Sequence, residues 1–302
     1  MVDRPLTSGG HALELDADAF GWLRDSNDAK DDVAELRRRM DQDGYLFLPG
    51  YLDREAIRAV RLEICQEFEK EGLLDPAYPV EDAVSKPGVQ MYFRPDIANR
   101  LKGLKEVIYG QTVMDFYSRL LGGPAMHYDF TWMRAIAKGK GTYPHCDVVY
   151  MGRGTQNVFT AWIPFGDVPL EVGGLVVLEG THRNETLRNG YCKLDVDTTC
   201  KSDPSKSELH AAGYSGFGEL SSNITQVRRD YGRRILTCPE YRMGDLLTFS
   251  IFTAHGSLDN STHQIRVSTD TRYQLASEPA DPRWIGENPP AHGGNSLKEM
   301  IC

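Results

Sequence analysis

Three short stretches of this chain carry residue types that bind metals and small acids. His145-Cys146-Asp147 sets an imidazole two positions from a carboxylate, and His255, Ser257 and Arg266 follow far downstream. On a strand, positions two apart share a face, so His145 and Asp147 would reach one metal while Cys146 points away. His255, arriving from a distant strand, would complete a set of two imidazoles and one carboxylate. That set leaves positions open on one side of the metal and suits a non-haem ferrous iron. Arg266, eleven residues past His255, is flanked by Ile265 and Val267, which alternation puts on the opposite face. An inward arginine is costly to bury without an anion, and a bidentate carboxylate from an organic co-substrate is its natural partner. Arg272 shares that face; it is the second choice as anchor, or else a salt-bridge partner of Asp270 or Glu278.

Other histidines compete less well. His127-Tyr128-Asp129 repeats the HxD pattern, but it opens a long strand and nothing downstream complements it. His182 and His263 read as loop residues, the latter in the polar Asp259-Asn260-Ser261-Thr262 turn.

Elements that could position these residues divide the chain in two. The first part reads helical. A helix over Asp31 to Met40 ends near Gly44, and Tyr45-Leu46-Phe47-Leu48 follows as a buried strand closed by Pro49-Gly50. Asp53 is a plausible N-cap for a helix with Ile57, Val60, Ile64 and Phe68 on one stripe, stopping at Gly72. Another helix is expected from about Glu106 to Leu121, ended by Gly122-Gly123-Pro124. From Ala125 onward the texture is that of a β sandwich or barrel. Expected strands are Met126 to Ala137, Val158 to Pro164, Leu175 to Leu178, Asp245 to Phe252 and Gln264 to Leu275. Between His182 and Tyr241 lies a polar stretch with weak periodicity, a candidate substrate cover. The fold class expected is mainly β with flanking α: a double-stranded β-helix (jelly roll, cupin-like) core with N-terminal helices packed outside. We expect one domain over 1–302, helical to about 124, jelly roll over about 125–280, with an insertion near 183–240.

The 302 residues include 40% hydrophobic and 25% charged, enough apolar material for a sizeable core. The net charge of −9 argues against nucleic acid as the main partner. The basic cluster Arg228, Arg229, Arg233 and Arg234 reads as a solvated, salt-bridged face. No run approaches a membrane span, the opening MVDRPLTSGG lacks a secretory apolar region, and the closing Glu299-Met300-Ile301-Cys302 is neither a peroxisomal nor a prenylation signal. Six cysteines without CxxC spacing suggest reduced thiols in the cytoplasm. The expected partner is a small-molecule substrate, with no nucleic acid and no membrane, for a monomer or homodimer.

The chain resembles the phytanoyl-CoA dioxygenase family of Fe(II)- and 2-oxoglutarate-dependent oxygenases. The resemblance rests on His145-Cys146-Asp147, Trp162-Ile163-Pro164-Phe165-Gly166-Asp167, the run Gly173 to His182, Gly244-Asp245-Leu246-Leu247 leading to His255, then Asn260-Ser261, Arg266 and Arg272-Tyr273-Gln274. It implies His145, Asp147 and His255 as iron ligands. Arg266 would grip the distal carboxylate of 2-oxoglutarate, with a hydroxyl hydrogen bond from Ser257. Trp162 would pack beside the co-substrate or serve as a core aromatic. Arg134 and Thr142 are candidates for the 1-carboxylate end. The implied reaction uses Fe(II), 2-oxoglutarate and O2 to oxidise a substrate C–H bond, most simply to an alcohol, with release of succinate and CO2. Asp147 argues against a halogenase, in which a small residue replaces that ligand. The expected substrate is a small metabolite or natural-product intermediate rather than an acyl-CoA. Two rivals use the same roll: a zinc hydrolase, for which no HExxH-type base is present, and a catalytically silent binding protein.

Overall fold

The computed structural model describes residues 5–300. Met1 to Arg4, Ile301 and Cys302, on which part of the terminal-signal reading and one cysteine fall, lie outside the described residues.

Two sheets face each other. Strands are β1 (Phe20–Trp22), β2 (Tyr45–Leu48), β3 (Ala125–His127), β4 (Trp132–Ile136), β5 (Phe159–Pro164), β6 (Leu175–Leu178), β7 (Ile235–Thr237), β8 (Leu246–Ser250), β9 (His255–Ser257) and β10 (Arg266–Leu275). The larger sheet runs β2-β8-β5-β10-β3, with β4 also paired to β10, and the smaller runs β9-β6-β7-β1. All these pairings are antiparallel except that between β7 and β1.

Period-2 alternation decides which residues enter the roll. Tyr45, Phe47, Trp162, Leu247 and Phe249 of the larger sheet meet Leu175, Val177 and Leu236 of the smaller in one interior cluster. Their neighbours Leu46, Leu48, Ala161, Ile163, Val267 and Tyr273 belong to a second cluster shared with the helices. These helices are α1 (Val33–Asp43), α2 (Arg54–Lys70), α3 (Pro95–Arg100), α4 (Lys102–Ile108) and α5 (Gln111–Leu121). Asp32 caps α1 by accepting from Glu35 N, and Asp53 caps α2 by accepting from Glu55 N and Ala56 N. α1 ends on Gly44 at φ +81°, where a Cβ would stand 2.3 Å from His182 Nδ1. Only glycine fits that junction.

The sequence expectations need several corrections. The helix expected from about Glu106 is two helices, broken at Tyr109-Gly110. The long strand from Met126 is β3 and β4, separated where Asp129 N and Phe130 N turn to Trp284 O. His182 is no surface loop residue: it is 7% exposed in a 3-10 turn, donating from Nε2 to Asp41 O. Far from being featureless, the 183–240 stretch contains helices Glu185–Asn189, Glu208–Ala211 and Ile224–Tyr231, and it ends in β7. Its short polar segments are ordered by contacts to the rest of the chain, which local periodicity does not register. Thr198–Cys200 pairs in parallel with Lys298–Met300. Cys65, Cys146, Cys192 and Cys238 are free thiols, whereas Cys200 is disulfide-bonded, against the expectation of uniformly reduced cysteines. Among the described residues no helix is long and apolar enough to cross a membrane. In the basic cluster, Arg228 and Arg229 pair with Glu14, and Arg234 with Glu179.

Candidate metal and co-substrate site

His145 and His255 are brought together by their own backbones. Each N–H donates to the carbonyl of the other at 2.9 Å, a single antiparallel bridge that sets the two rings 4.3 Å apart. Each ring is oriented identically: Nδ1 lies 2.8 Å from Tyr143 O in one and 2.9 Å from Thr253 O in the other. A carbonyl only accepts, so both Nδ1 atoms carry the proton and both Nε2 lone pairs are left for a metal. Burial, with the neighbouring His145, pulls the His255 imidazole down to about 4.

Asp147 arrives by a different route from the strand geometry expected. It has helical φ, ψ and stands at the N-terminal boundary of a short helix, α6 (Val148–Met151), so the chain turns immediately after His145. The turn still brings the carboxylate to the imidazoles: Oδ1 lies 3.6 Å from His145 Nε2 and 3.8 Å from His255 Nε2. Cys146 points away into the cluster holding Val148, Val176 and Tyr191. Ligand atoms of the three residues lie within 4.8 Å of one another, and no other such cluster occurs among the described residues. Two imidazole nitrogens and a carboxylate oxygen this close suit one shared metal ion. His127 is elsewhere, stacked on Tyr109 at 3.9 Å.

The second carboxylate oxygen is held from behind. Asp147 Oδ2 accepts from Thr160 Oγ1 at 2.5 Å and from Arg272 Nη2 at 3.0 Å. Burial works to raise this carboxyl's pKa, but Arg272 and the two histidines outweigh it and hold it well below the usual carboxylate range. Oδ1 alone therefore faces the metal position. The partnership overturns the expectation that Arg272 pairs with Asp270 or Glu278. Neither Thr160 nor this use of Arg272 was legible in advance; the only trace is that both sit on inward positions of their strands, opposite each other in register.

β10 turns four polar side chains inward: Arg266, Ser268, Asp270 and Arg272, all buried. Among the described residues Arg266 has no salt-bridged carboxylate partner. Its Nη1 donates to Gly173 O, and its Nε is buried without a partner. Burial, with repulsion from Arg134, brings this guanidinium down to about 10. Trp162 Nε1 and Ser268 Oγ are likewise buried and unpartnered. Ser257 Oγ accepts from Thr142 N at 2.8 Å. A buried cation lacking its anion, with further unpaired polar atoms in the roll interior, fits a dicarboxylate co-substrate. Arg134 is engaged, donating from Nε to Asp270 Oδ2 at 2.5 Å and from Nη1 to Tyr92 at 3.1 Å. Trp162 lies in the interior cluster, edge-on to Tyr241.

A cavity of about 580 Å³ opens beside the triad, walled by Tyr92, Trp132, Arg134, Thr142, Tyr150 and Arg272. The 183–240 stretch closes one side: Glu219 lines the cavity, Tyr150 Oη donates to Phe217 O, and Tyr191 Oη donates to Gly218 O. Gly218, at φ +97°, has no room for a Cβ against the Tyr150 hydroxyl.

Residues 40–268 match the family described as Phytanoyl-CoA dioxygenase (PhyH). Two 1-deoxypentalenic acid 11-beta-hydroxylases are similar in sequence. That of Streptomyces exfoliatus is 26% identical over 265 residues, covering 82% of this chain and 83% of its own. That of Streptomyces arenae is 26% identical over 273 residues, with 86% and 87% covered. The fold is shared with the epimerase SnoN in complex with Fe3+, alpha ketoglutarate and nogalamycin RO (TM-score 0.55, 20% identity, 89% of this chain and 94% of that one). It is also shared with EctD from S. alaskensis with bound Fe (TM-score 0.56, 17% identity, 98% and 95%). The chain belongs to the phytanoyl-CoA dioxygenase family, and is a non-haem Fe(II)- and 2-oxoglutarate-dependent oxygenase.

Proposed function

We propose that this oxygenase hydroxylates a C–H bond of a natural-product intermediate, with release of succinate and CO2, as one catalytic domain with its helices packed outside the roll. His145, Asp147 and His255 hold the iron through two Nε2 atoms and Oδ1. Arg266 binds the distal carboxylate of 2-oxoglutarate, Ser257 adds its hydroxyl, Trp162 walls the co-substrate, and Arg134 and Thr142 stand toward its other end. The observation that carries this reading is the buried Arg266, whose Nε lacks a partner and which forms no salt bridge among the described residues. A zinc hydrolase would leave that cation without a role.

When bound, the iron and co-substrate supply the oxidising chemistry. What the chain contributes is positional. Both histidines donate from Nδ1 to backbone carbonyls, which aims their Nε2 atoms at the metal position. Thr160 and Arg272 occupy Asp147 Oδ2, so that Oδ1 alone would be offered to the metal, beside the cavity. The aromatic walls exclude water and hold an apolar substrate body beside the metal. The two similar Streptomyces enzymes are named for hydroxylation of 1-deoxypentalenic acid, which supports a substrate of that size and kind.

The test is anaerobic titration of the purified chain with Fe(II) and 2-oxoglutarate. A weak visible charge-transfer band should form and be lost in Arg266→Ala. Absence of the band in metal-loaded protein would return the assignment to the zinc hydrolase or the silent roll.

A further inference from the structure

One cation beside the metal site is only partly used. Arg272 is 3% exposed and lines the cavity, yet only its Nη2 is bonded, to Asp147. Its Nε and Nη1 are buried with no partner. Its guanidinium carbon lies 4.4 Å from the Trp132 ring centroid. Stacking engages the face of the guanidinium and leaves its N–H edges free for an acceptor. A buried charged donor left unmade is costly, so this arginine is built to receive an anionic oxygen.

Arg266 and Arg272 are six residues apart on one strand. With Arg266 assigned to the distal carboxylate of the co-substrate, the unbonded edge of Arg272 is available to a second anionic group. Arg134 is already engaged, by Asp270 at Nε and by Tyr92 at Nη1. The remaining cavity wall is consistent with an anionic ligand on an apolar body. Phe93, Trp132 and Tyr150 offer ring faces, exposed Lys140 adds a positive charge, and among the described residues the carboxylates lining the cavity are those of Asp147 and Glu219.

Building on the oxygenase reading above, we propose that the prime substrate is a carboxylic acid on a ring-built apolar body, and that Arg272 binds its carboxylate. Arg272 thereby ties the substrate to the same carboxylate that holds the metal, fixing which carbon of the ring body faces the open coordination side.

The experiment is calorimetry on the full chain, loaded anaerobically with Fe(II) and 2-oxoglutarate. The probes are 1-naphthoic acid and 1-deoxypentalenic acid, each against its primary amide at up to millimolar concentration. The visible band of the same sample reports separately whether the oxygenase reading stands. At least one acid should bind about tenfold or more tightly than its amide. In Arg272→Lys, which keeps a positive charge beside Asp147, that preference should fall several-fold, and in Arg272→Gln it should disappear. Equal binding of acid and amide in the unaltered chain, or full preference retained in Arg272→Lys, would overturn the proposal. So would a larger loss of 2-oxoglutarate affinity than of acid affinity in Arg272→Lys, which would assign the arginine to the co-substrate instead.

Discussion

Asp147 has two oxygens with different duties, and the division explains what each neighbouring side chain is for. Oδ1 faces the two Nε2 atoms, while Oδ2 is consumed by Thr160 and Arg272. Replacing either His145 or Asp147 by Ala should abolish iron-dependent turnover and stoichiometric Fe(II) binding, while the far-ultraviolet circular dichroism stays unchanged. Full activity in both variants would remove the ligand assignment. Arg266 acts at a distance from the metal, so its loss should separate the two substrates. Arg266→Ala should raise the 2-oxoglutarate requirement about tenfold to a hundredfold, the worth of a charge-assisted hydrogen bond, and leave the prime-substrate KM little changed. Steady-state kinetics with each substrate varied in turn would show this; an unchanged 2-oxoglutarate requirement would place the anchor elsewhere.

Elements meet at junctions that tolerate few side chains. Where α1 hands over to β2, Gly44 leaves space for His182, whose Nε2 donates to Asp41 O and whose Nδ1 is buried without a partner. Burial lowers the pKa of this imidazole from its ordinary 6.5. The folded state therefore binds fewer protons than the unfolded state, and the stability of the neutral ring is fully present above about pH 6.5 and is lost as pH falls below it. Urea denaturation between about pH 7 and pH 5 should show a loss of at most about 1.4 kcal/mol per pH unit from this residue. That slope should flatten in His182→Gln; an identical slope would mean that the ring is not the titrating group.

Across the whole molecule, the cavity is made by segments distant in sequence and clasped by buried charges. Arg283, 1% exposed, donates to Asp195, Asp197 and Asp281, and Arg153 donates to Asp195 at 2.5 Å. His292, which lines the cavity, meets Asp197 at 2.6 Å. These bonds join the 183–240 stretch, the segment after β10 and the turn following α6. Arg283→Ala would leave three carboxylates without their shared cation, and should cost about 3–5 kcal/mol in denaturant unfolding. A loss below about 1 kcal/mol, the scale of an exposed pair, would show that solvent reaches the network.

Residue chemistry and strand alternation together carried much of this protein in its sequence. The strand at Leu175–Leu178 and the helix caps at Asp53 and Gly44 were legible because capping and period-2 burial are local physics. The meeting of His145, Asp147 and His255 was legible too, because imidazole and carboxylate in the HxD…H order have few other uses when an arginine follows. Their geometry was not. Asp147 reaches the histidines through a helical turn rather than along a strand. Arg272 pairs with Asp147 rather than with its near neighbours in sequence, because β10 and β5 run side by side and bring Thr160 and Arg272 to one carboxylate. The order within 183–240 was equally hidden, since short polar helices owe their existence to tertiary contacts such as Tyr191 to Gly218 and Asp197 to Arg283. Sequence determined which groups of the right chemistry the chain carries; only the closing of the roll decided which of them meet and which of their atoms remain free.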